Sequence, residues 1–424
     1  MQVEFTKISD EGRALGRHSG KLIFAYGVLP GETAKVRIIR EKRNFIEAEL
    51  LEIIRPSEKR RDAAEDHYLS CSPWQIMDYA YQTELKKNII EDFLYRFTRE
   101  TIKLDGFYPA ERRFGYRTKI EYSFAEKNNE IHLAFHKRGS FGEKHILENG
   151  CALIAENTNK IALKIVEILN RDKTVCSDLK TLILRESQKQ QQVVAALYVK
   201  NRGFSTPQMQ IDGLDGFLSA YSNPLSPVSA ADEILYKNGI EFMTEKVGNL
   251  NFSYPFDCFF QNNIPLFEKA MEVINGVCFE CNKLMDLFCG AGVMAIILKD
   301  AAREIIGVES FPGAAKFAQI NSAQNNVKNF QVLCSPAEKT PQEVFDGTDI
   351  IVMDPPRPGL HKKTVKALLN SLPQRIIYLS CNPATQARDA AFFLEKYKII
   401  KAFGFDFYPN TPHVESLLVF DKQI

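Results

Sequence analysis

Long apolar runs are missing from these 424 residues. None approaches the ~20 consecutive apolar positions that cross a bilayer as a helix, so a helical membrane protein is excluded. The first residues, Met1-Gln2-Val3-Glu4-Phe5, lack the charged-then-apolar layout of a secretory leader, and a cytoplasmic location is expected. Excess charge of one sign is missing too. Lys and Arg number 54 against 53 Asp and Glu, a net charge of +1. A uniformly basic chain is thereby excluded, and any surface for a polyanion must be a local patch offset by acid elsewhere. Trp74 is the single tryptophan. Sustained repeats and low-complexity tracts are absent, which removes solenoids and long disordered linkers. Nine cysteines are few for such a length and suit free thiols in a reducing compartment. What remains is ordinary: 45% hydrophobic and 25% charged residues, a globular composition sufficient for two or three domains of about 150 residues each.

The most informative stretch is Tyr378-Leu379-Ser380-Cys381-Asn382-Pro383-Ala384-Thr385. An apolar run from Arg375 to Leu379 reads as a buried strand, and the Asn-Pro turn lifts the Cys381 thiol out of its end. A thiol at the carboxyl end of a parallel strand lies where open α/β sheets process ligands, which makes Cys381 the candidate nucleophile. Upstream, Leu284-Met285-Asp286-Leu287-Phe288-Cys289-Gly290-Ala291-Gly292 is a strand running into a Gly turn, and a helix follows. Gly290 and Gly292 let backbone approach a ligand beside a helix N-terminus. About twenty residues beyond Asp286, a second strand ends in Glu309, placed to accept both ribose hydroxyls of an adenosine. The third glycine of a dinucleotide fingerprint is missing, so a single adenosine, as in S-adenosylmethionine, is expected rather than NAD. Asp349 to Met353 is another strand, ending in Asp354-Pro355-Pro356, where the prolines forbid helix and hold the carboxylate open. Glu415 opens the last hydrophobic strand and can face Cys381. Glu309, Asp354, Cys381 and Glu415 therefore share one sheet edge.

The N-terminal portion reads differently. Short strands around residues 3–5, 21–28, 34–40 and 45–51, separated by Gly turns, predict a small barrel of the OB type. Arg13, Arg17, Lys35, Arg37, Arg40, Lys42 and Arg43 suit phosphate contacts with RNA. Glu58 to Asp62 reads as a charged linker. Positions 81, 85, 89, 93 and 97 give one apolar helix face. Aromatics interleaved with basic residues around 114–124 and 133–139 suit base stacking and phosphate grip. Strands are expected at 181–185 and 193–198, and a loop from Asn201 to Pro227.

These residues resemble the RNA uridine 5-methyltransferase family. The resemblance is carried by Phe259-Phe260-Gln261-Asn262-Asn263, Asp286-Leu287-Phe288-Cys289-Gly290, Asp354-Pro355-Pro356-Arg357, Ser380-Cys381-Asn382-Pro383-Ala384-Thr385 and His413-Val414-Glu415. It continues through Tyr116-Arg117-Thr118-Lys119 and Phe135-His136-Lys137-Arg138-Gly139. The Gly-x-Ala-x-Gly-Arg opening and Pro-Gly-Glu turn look like a TRAM domain. The resemblance implies an α/β chain: a TRAM-like OB barrel over 1–57, a central α+β module over 58–250, both binding RNA, and a Rossmann-like class I methyltransferase domain over 251–424. It implies Cys381 as nucleophile, Glu415 as general base, and Gln261, Phe288, Glu309 and Asp354 as S-adenosylmethionine contacts. The expected product is 5-methyluridine, in 23S rRNA rather than tRNA, made by a monomer.

There are departures. Members that carry an iron–sulfur cluster have Cys-x5-Cys-x2-Cys and a fourth Cys downstream. The matching positions here are Glu65, Cys71, Trp74 and Cys151. With two of four ligands, no iron–sulfur cluster and no metal is expected, Cys71 and Cys151 read as ordinary buried thiols, and Trp74 as core filling the vacated space. Val293 and Pro336 replace polar residues near the cofactor. An RNA-binding assembly factor with a relic cofactor pocket is the alternative function. An amino-methyltransferase using Asp354 is a third.

Overall fold

The computed structural model describes residues 1–138 and 142–423, so Gly139 of the basic turn lies outside the described residues. Five strands open the chain: β1 (Gln2–Ile8), β2 (Ala14–His18), β3 (Lys21–Ala25), β4 (Thr33–Glu41) and β5 (Phe45–Arg55). They close into a barrel in the order β1-β2-β3-β5-β4, as their alternation predicts. Val3, Phe5, Ala34, Val36, Ile46 and Ala48 point inward. Gly16 is required where β2 crosses β1, because a Cβ there would lie 2.6 Å from the Glu4 carbonyl oxygen. Of the basic residues assigned to a patch, Arg13 pairs with Glu11 and Glu47, and Arg37 with Glu49. Arg17, Lys35, Arg40, Lys42 and Arg43 are exposed.

Residues 58–62 are anchored and do not form a loose linker. The Glu32 carboxylate, fully buried, accepts the backbone N–H of Leu29 and Ser57, and Arg60 grips it through Nε at 2.6 Å and a second guanidinium nitrogen at 2.7 Å. This clamp fixes where the chain leaves the barrel. A short turn of helix, α1 (Tyr68–Cys71), and a long helix, α2 (Tyr79–Thr98), follow. Asp78 caps α2 by accepting from Ala80 and Tyr81 N–H.

The buried stripe of α2 is Gln82, Lys86, Ile90 and Leu94, one residue round from the apolar series at 81, 85, 89, 93 and 97. Tyr81, Leu85 and Ile89 pack half-buried against Leu29 and Trp74. The polar pair Gln82 and Lys86 goes inside because each finds partners there. Lys86 Nζ reaches Asp406 Oδ1 at 2.5 Å and the Tyr408 carbonyl at 3.0 Å. Gln82 bonds the Trp74 carbonyl and both the side chain and the N–H of Asn410. An apolar-periodicity argument cannot see a buried face built from hydrogen bonds.

Next come β6 (Gly106–Tyr108), β7 (Lys119–Lys127), β8 (Glu130–His136), β9 (Lys144–Ile146), α3 (Glu156–Arg171), β10 (Leu179–Glu186), β11 (Val193–Val199), β12 (Gly216–Tyr221) and β13 (Glu233–Gly239). A seven-stranded sheet runs β13-β12-β11-β10-β7-β8-β9, with α3 burying Ile161, Ala162, Ile165 and Leu169 against it. β12 lies within the stretch expected to be loop. It is parallel to β11 and mostly buried. Its small and turn-flanked sequence hid a strand whose stability comes from neighbours on both sides. β14 (Phe242–Val247) and β15 (Leu250–Pro255) form a hairpin.

The remainder is α4 (Ile264–Val277), β16 (Cys281–Leu287), α5 (Val293–Ile297), β17 (Ala302–Glu309), α6 (Pro312–Gln324), β18 (Phe330–Cys334), α7 (Gln342–Phe345), β19 (Ile350–Met353), α8 (Lys362–Ser371), β20 (Arg375–Ser380), α9 (Pro383–Phe393), β21 (Tyr397–Phe405) and β22 (Glu415–Lys422). The sheet order is β18-β17-β16-β19-β20-β22-β21-β6. Strands β18 to β20 are parallel, and β22 inserts antiparallel between β20 and β21. The central strands are continuous apolar runs because helices cover both faces: Ile350 to Met353 and Ile376 to Ser380 are all buried. β6, from between the barrel and the middle sheet, adds to the outer edge beside β21, and α2 packs on α9. No helix among the described residues is long and apolar enough to cross a membrane.

Candidate active site

The parallel strands end together. Leu287 of β16 stands level with Val308 of β17 and Met353 of β19. Phe288, Glu309 and Asp354 therefore leave the sheet side by side. On the other side of β19, Ser380 of β20 pairs with Ser416 of β22. The next residues, Cys381 and Glu415, thus sit at the end of that ladder. Among the described residues, the four groups expected at one sheet edge are all on this rim.

The turn after β20 is built to hold the thiol. Asn382 N–H donates to Ser380 Oγ at 3.1 Å, the Asn382 side chain caps α9 by accepting from Ala384 N–H, and Pro383 occupies the first turn. Gln386, buried one turn into α9, donates to the carbonyls of both Tyr378 and Ser416 and accepts from Ser416 Oγ at 2.5 Å. It staples β20 to β22 one residue from the thiol–carboxylate pair. Across the crevice, the Arg357 carbonyl accepts from Asn382 Nδ2 and Thr385 Oγ1, each at 3.0 Å. Asp389 accepts from Leu360 N–H and Tyr378 O–H, which fixes the loop after β19.

Glu415 is 4% exposed and its Oε2 has no hydrogen-bond partner. Burial pushes its carboxyl well above the usual range, the nearby Asp354 adds to this, and Arg357 opposes it. Burial also pushes the Cys381 thiol up to about 12, with Glu415 and Asp354 reinforcing and Arg357 opposing. Asp354 is raised to about 7 by burial, against the hydrogen bond that Gln261 Nε2 donates to it at 3.1 Å. In the free protein at neutral pH the Cys381 thiol accordingly holds its proton, and burial shifts Glu415 in the same direction. Burial, and then Arg357, depress His413 to about 3, so this neutral ring accepts from Arg357 at 3.5 Å without competing as a cation.

The adjoining crevice is formed by the loop after β16. Phe288 has φ of +66°, costly for a bulky side chain and the kind of strain that clusters at ligand sites. Gly290 has φ of +54°, and a Cβ there would meet nothing within 4 Å; the space over it is open. Its N–H donates to Glu309 Oε2 at 3.0 Å, and Phe311 N–H donates to Oε1 at 2.6 Å. Gly292 is the N-cap of α5 at φ +81°, facing Phe330 and Ala318, so it serves packing. Val293 begins α5. Pro336 contributes a carbonyl that accepts from Thr340. Asp286 is buried with Oδ1 unpartnered, while Oδ2 accepts from Ala295 N–H.

Sequence reasoning missed Arg357 as a charge, Gln386 as a staple, and Arg117 and Asn262. The last two each keep a buried, unpartnered polar atom and line a cavity of about 420 Å³ with Lys119, Arg138 and His413. Arg117 stands in the basic-aromatic alternation at 114–124 and Asn262 in Phe259-Phe260-Gln261-Asn262-Asn263, but neither pattern assigned them a role. Cys278 and Cys281, spaced Cys-x-x-Cys, are both free thiols: one caps α4 and the other opens β16. Trp74 is buried among Leu29, Ile76 and Met77.

Comparison with known proteins agrees with this architecture. The model of the family tRNA (Uracil-5-)-methyltransferase matches residues 78–423, and that of the TRAM domain matches residues 1–51. An uncharacterized RNA methyltransferase of Nitratidesulfovibrio vulgaris is 27% identical over 457 aligned residues, covering 100% of this chain and 96% of its own. One of Caldanaerobacter subterraneus is 26% identical, covering 99% and 98%. The crystal structure of Pyrococcus abyssi tRNA (uracil-54, C5)-methyltransferase in complex with S-adenosyl-L-homocysteine superposes with a TM-score of 0.80 at 24% identity, covering 99% of this chain and 100% of that one, a likeness of fold. With its TRAM barrel, its class I sheet and a family model spanning most of its length, the chain belongs to the tRNA (uracil-5-)-methyltransferase family and is an RNA methyltransferase.

Proposed function

We propose that the protein methylates C5 of a uridine in RNA through a covalent adduct between Cys381 and C6, with Glu415 removing the C5 proton. The supporting observation is the buried, unpartnered Glu415 carboxyl at the ladder end it shares with the Cys381 thiol. Uracil C5 is too weak a nucleophile to take a methyl group directly. Addition of the Cys381 thiolate to C6 gives an enolate with carbanion character at C5. When bound, S-adenosylmethionine supplies an electrophilic methyl group, and C5 takes it. Glu415 then accepts the C5 proton, the C5–C6 double bond re-forms, and the Cys381–C6 bond breaks with its electron pair returning to sulfur.

Gln261, Phe288, Gly290, Glu309 and Asp354 are proposed to hold the cofactor, with Gly292, expected among them from sequence, letting α5 pack close against Ala318 and Phe330. The open space above Gly290, the half-exposed Glu309 carboxylate and the orphaned Asp286 oxygen fit an adenosine with a cationic tail. Arg357 stabilises anionic Cys381 and Glu415. Reaching this rim requires the uridine to leave its stack, at a cost of roughly a few kcal/mol. The cavity beside Arg117, Asn262 and His413 has room and polar atoms for an extruded nucleotide.

The proposed RNA is 23S rRNA rather than tRNA, a choice that rests on the barrel and its exposed Arg17, Lys35, Arg40 and Arg43 as a second contact surface. The barrel spans residues 1–57 in this proposal, the central RNA-binding module 58–250 and the catalytic domain 251–424. Cys381→Ala is expected to abolish methyl transfer; an active variant contradicts the mechanism. Mapping 5-methyluridine in total RNA with and without the gene is expected to show one site lost from 23S rRNA, and loss from tRNA instead contradicts that choice.

A further inference from the structure

A second cluster of reactive side chains lies outside the thiol–carboxylate rim. Glu65 and His67 precede α1, Cys71 ends it, and Cys151 follows β9; each offers one ligand atom, and these atoms all lie within 4.8 Å of one another. Cys71 Sγ is 3.4 Å from His67 Nδ1 and 3.9 Å from Glu65 Oε2, and His67 Nε2 is 3.1 Å from Glu65 Oε1. His67 and Cys151 are buried. Glu65, Cys71 and Cys151 stand at three of the four cysteine positions of the cluster-bearing sequence pattern, yet the set does not suit an iron–sulfur cluster. Such clusters need four thiolates as a rule, two are present, and the third position is the buried indole of Trp74. His67, which no cysteine pattern reveals, completes a set of two sulfurs, one nitrogen and one oxygen.

We propose that Glu65, His67, Cys71 and Cys151 bind one divalent transition-metal ion of the zinc class. Zinc takes this mixture of donors in tetrahedral sites with bonds of about 2.0–2.3 Å, so ligand atoms around it stand about 3.3–3.8 Å apart. With all the atoms within 4.8 Å, the longest separation needs to contract by at most about 1.5 Å to reach that geometry. Both thiols lose their protons on binding. Two thiolates and one carboxylate outweigh the ion by one negative charge, and the Arg117 guanidinium lines the adjoining cavity.

The supporting shell is already in place. Glu65 accepts from Ala152 N–H at 2.6 Å and from Gln75 Nε2 at 2.8 Å. Gln75 Nε2 also donates to Ser72 Oγ, which is 2.9 Å from Cys71 Sγ. Asn159 accepts from Cys151 N–H at 3.0 Å and donates to the Cys151 carbonyl at 2.8 Å. Hydrogen-bonded outer partners of this kind are a feature of built metal sites. Four protein ligands leave no open position, so the ion is structural. It ties the segment leaving the barrel to the loop after β9, beside the cavity proposed for the nucleotide.

The test begins with full-length protein purified under reducing conditions and analysed for metal and acid-labile sulfide. One zinc per chain without sulfide is expected; iron with sulfide overturns the proposal. The chelator-stripped protein is then titrated with Co²⁺. The expected result is saturation at one equivalent, with the d–d bands of tetrahedral cobalt and a thiolate-to-cobalt charge-transfer band. Absence of both bands in the parent protein overturns the site without recourse to any variant. Cys71→Ser with Cys151→Ser is expected to lose the charge-transfer band, and Cys176→Ser, outside the cluster, to keep it. Gln75→Leu leaves every ligand and is expected to weaken affinity about 10- to 100-fold; unchanged affinity in Gln75→Leu, or a band surviving in the double variant, counts against the assignment.

Discussion

At the scale of single residues, the chemistry turns on who holds protons. Cys381 and Glu415 are both pushed upward by burial, the thiol to about 12, so the thiolate is a minor form near neutrality. The logarithm of kcat/KM is expected to rise with pH from neutral into the alkaline range; a profile falling over that interval would count against the pair. Glu415→Gln removes a negative neighbour from the thiol, so the pH midpoint for alkylation of Cys381 by iodoacetamide should move downward. An upward move would mean that Glu415 does not face the sulfur. Asp354 affords a stability test with a defined sign. Its folded pKa of about 7 lies above its ordinary 3.8. Its protonated form is therefore favoured by the fold, and that contribution is full below about pH 4 and lost as pH rises through about 7. Asp354→Asn is expected to melt above the parent at pH 8, with the gap shrinking toward pH 5. Cys381 and Glu415 were readable because each stands where an apolar strand meets a turn. Arg357 and Gln386 were not, because a charge in a loop and a glutamine inside a helix carry no periodic signal.

At the scale of elements, α2 shows what pattern reading can and cannot reach. Its existence follows from the i, i+4 apolar series, whereas the Asp78 cap that sets its start was not read. Its orientation depends on Lys86 and Gln82, which grip the segment 406–410 that leads to Glu415. A hydrogen-bonded lysine with 0% side-chain exposure reads as a surface residue in sequence. Breaking one side of such a buried ion pair costs about 3–5 kcal/mol. Lys86→Ala is expected to lose that much in denaturant unfolding and to lower kcat through the displaced loop, whereas Lys86→Met, which keeps the volume, should lose less stability because it fills the space. A Lys86→Met variant as stable as the parent would show that packing, not the ion pair, holds α2. β12 makes the same point for strands: it is stabilised by β11 and β13 on either side, information absent from its own residues. The Glu65–His67 arm of the proposed metal-ligand set was hidden for a related reason, since the sequence pattern looked for sulfur at position 65 and for nothing at position 67.

At the scale of the whole molecule, three sheets share the work. The barrel carries exposed basic residues, the seven-stranded sheet buries Tyr116, Tyr122 and Phe124 of the stretch expected to stack bases, and the eight-stranded sheet gathers Glu309, Asp354, Cys381 and Glu415 on one rim. This division was legible because strand period, Gly turns and apolar parallel runs differ along the chain. The interleaving was not legible: β6 joins the catalytic sheet and α2 leans on α9 although both precede the middle sheet in sequence. Such long-range pairing makes the proteolytic separation of the catalytic third from α2 an expected loss of fold. The central claim, that Cys381 attacks the ring and Glu415 frees it, is tested most directly by trapping. Full-length Glu415→Gln is incubated with substrate RNA and S-adenosylmethionine, digested, and analysed by mass spectrometry. The account predicts a peptide containing Cys381 joined to a methylated uridine. Methylated RNA released without any adduct, or an adduct on another residue, would contradict it.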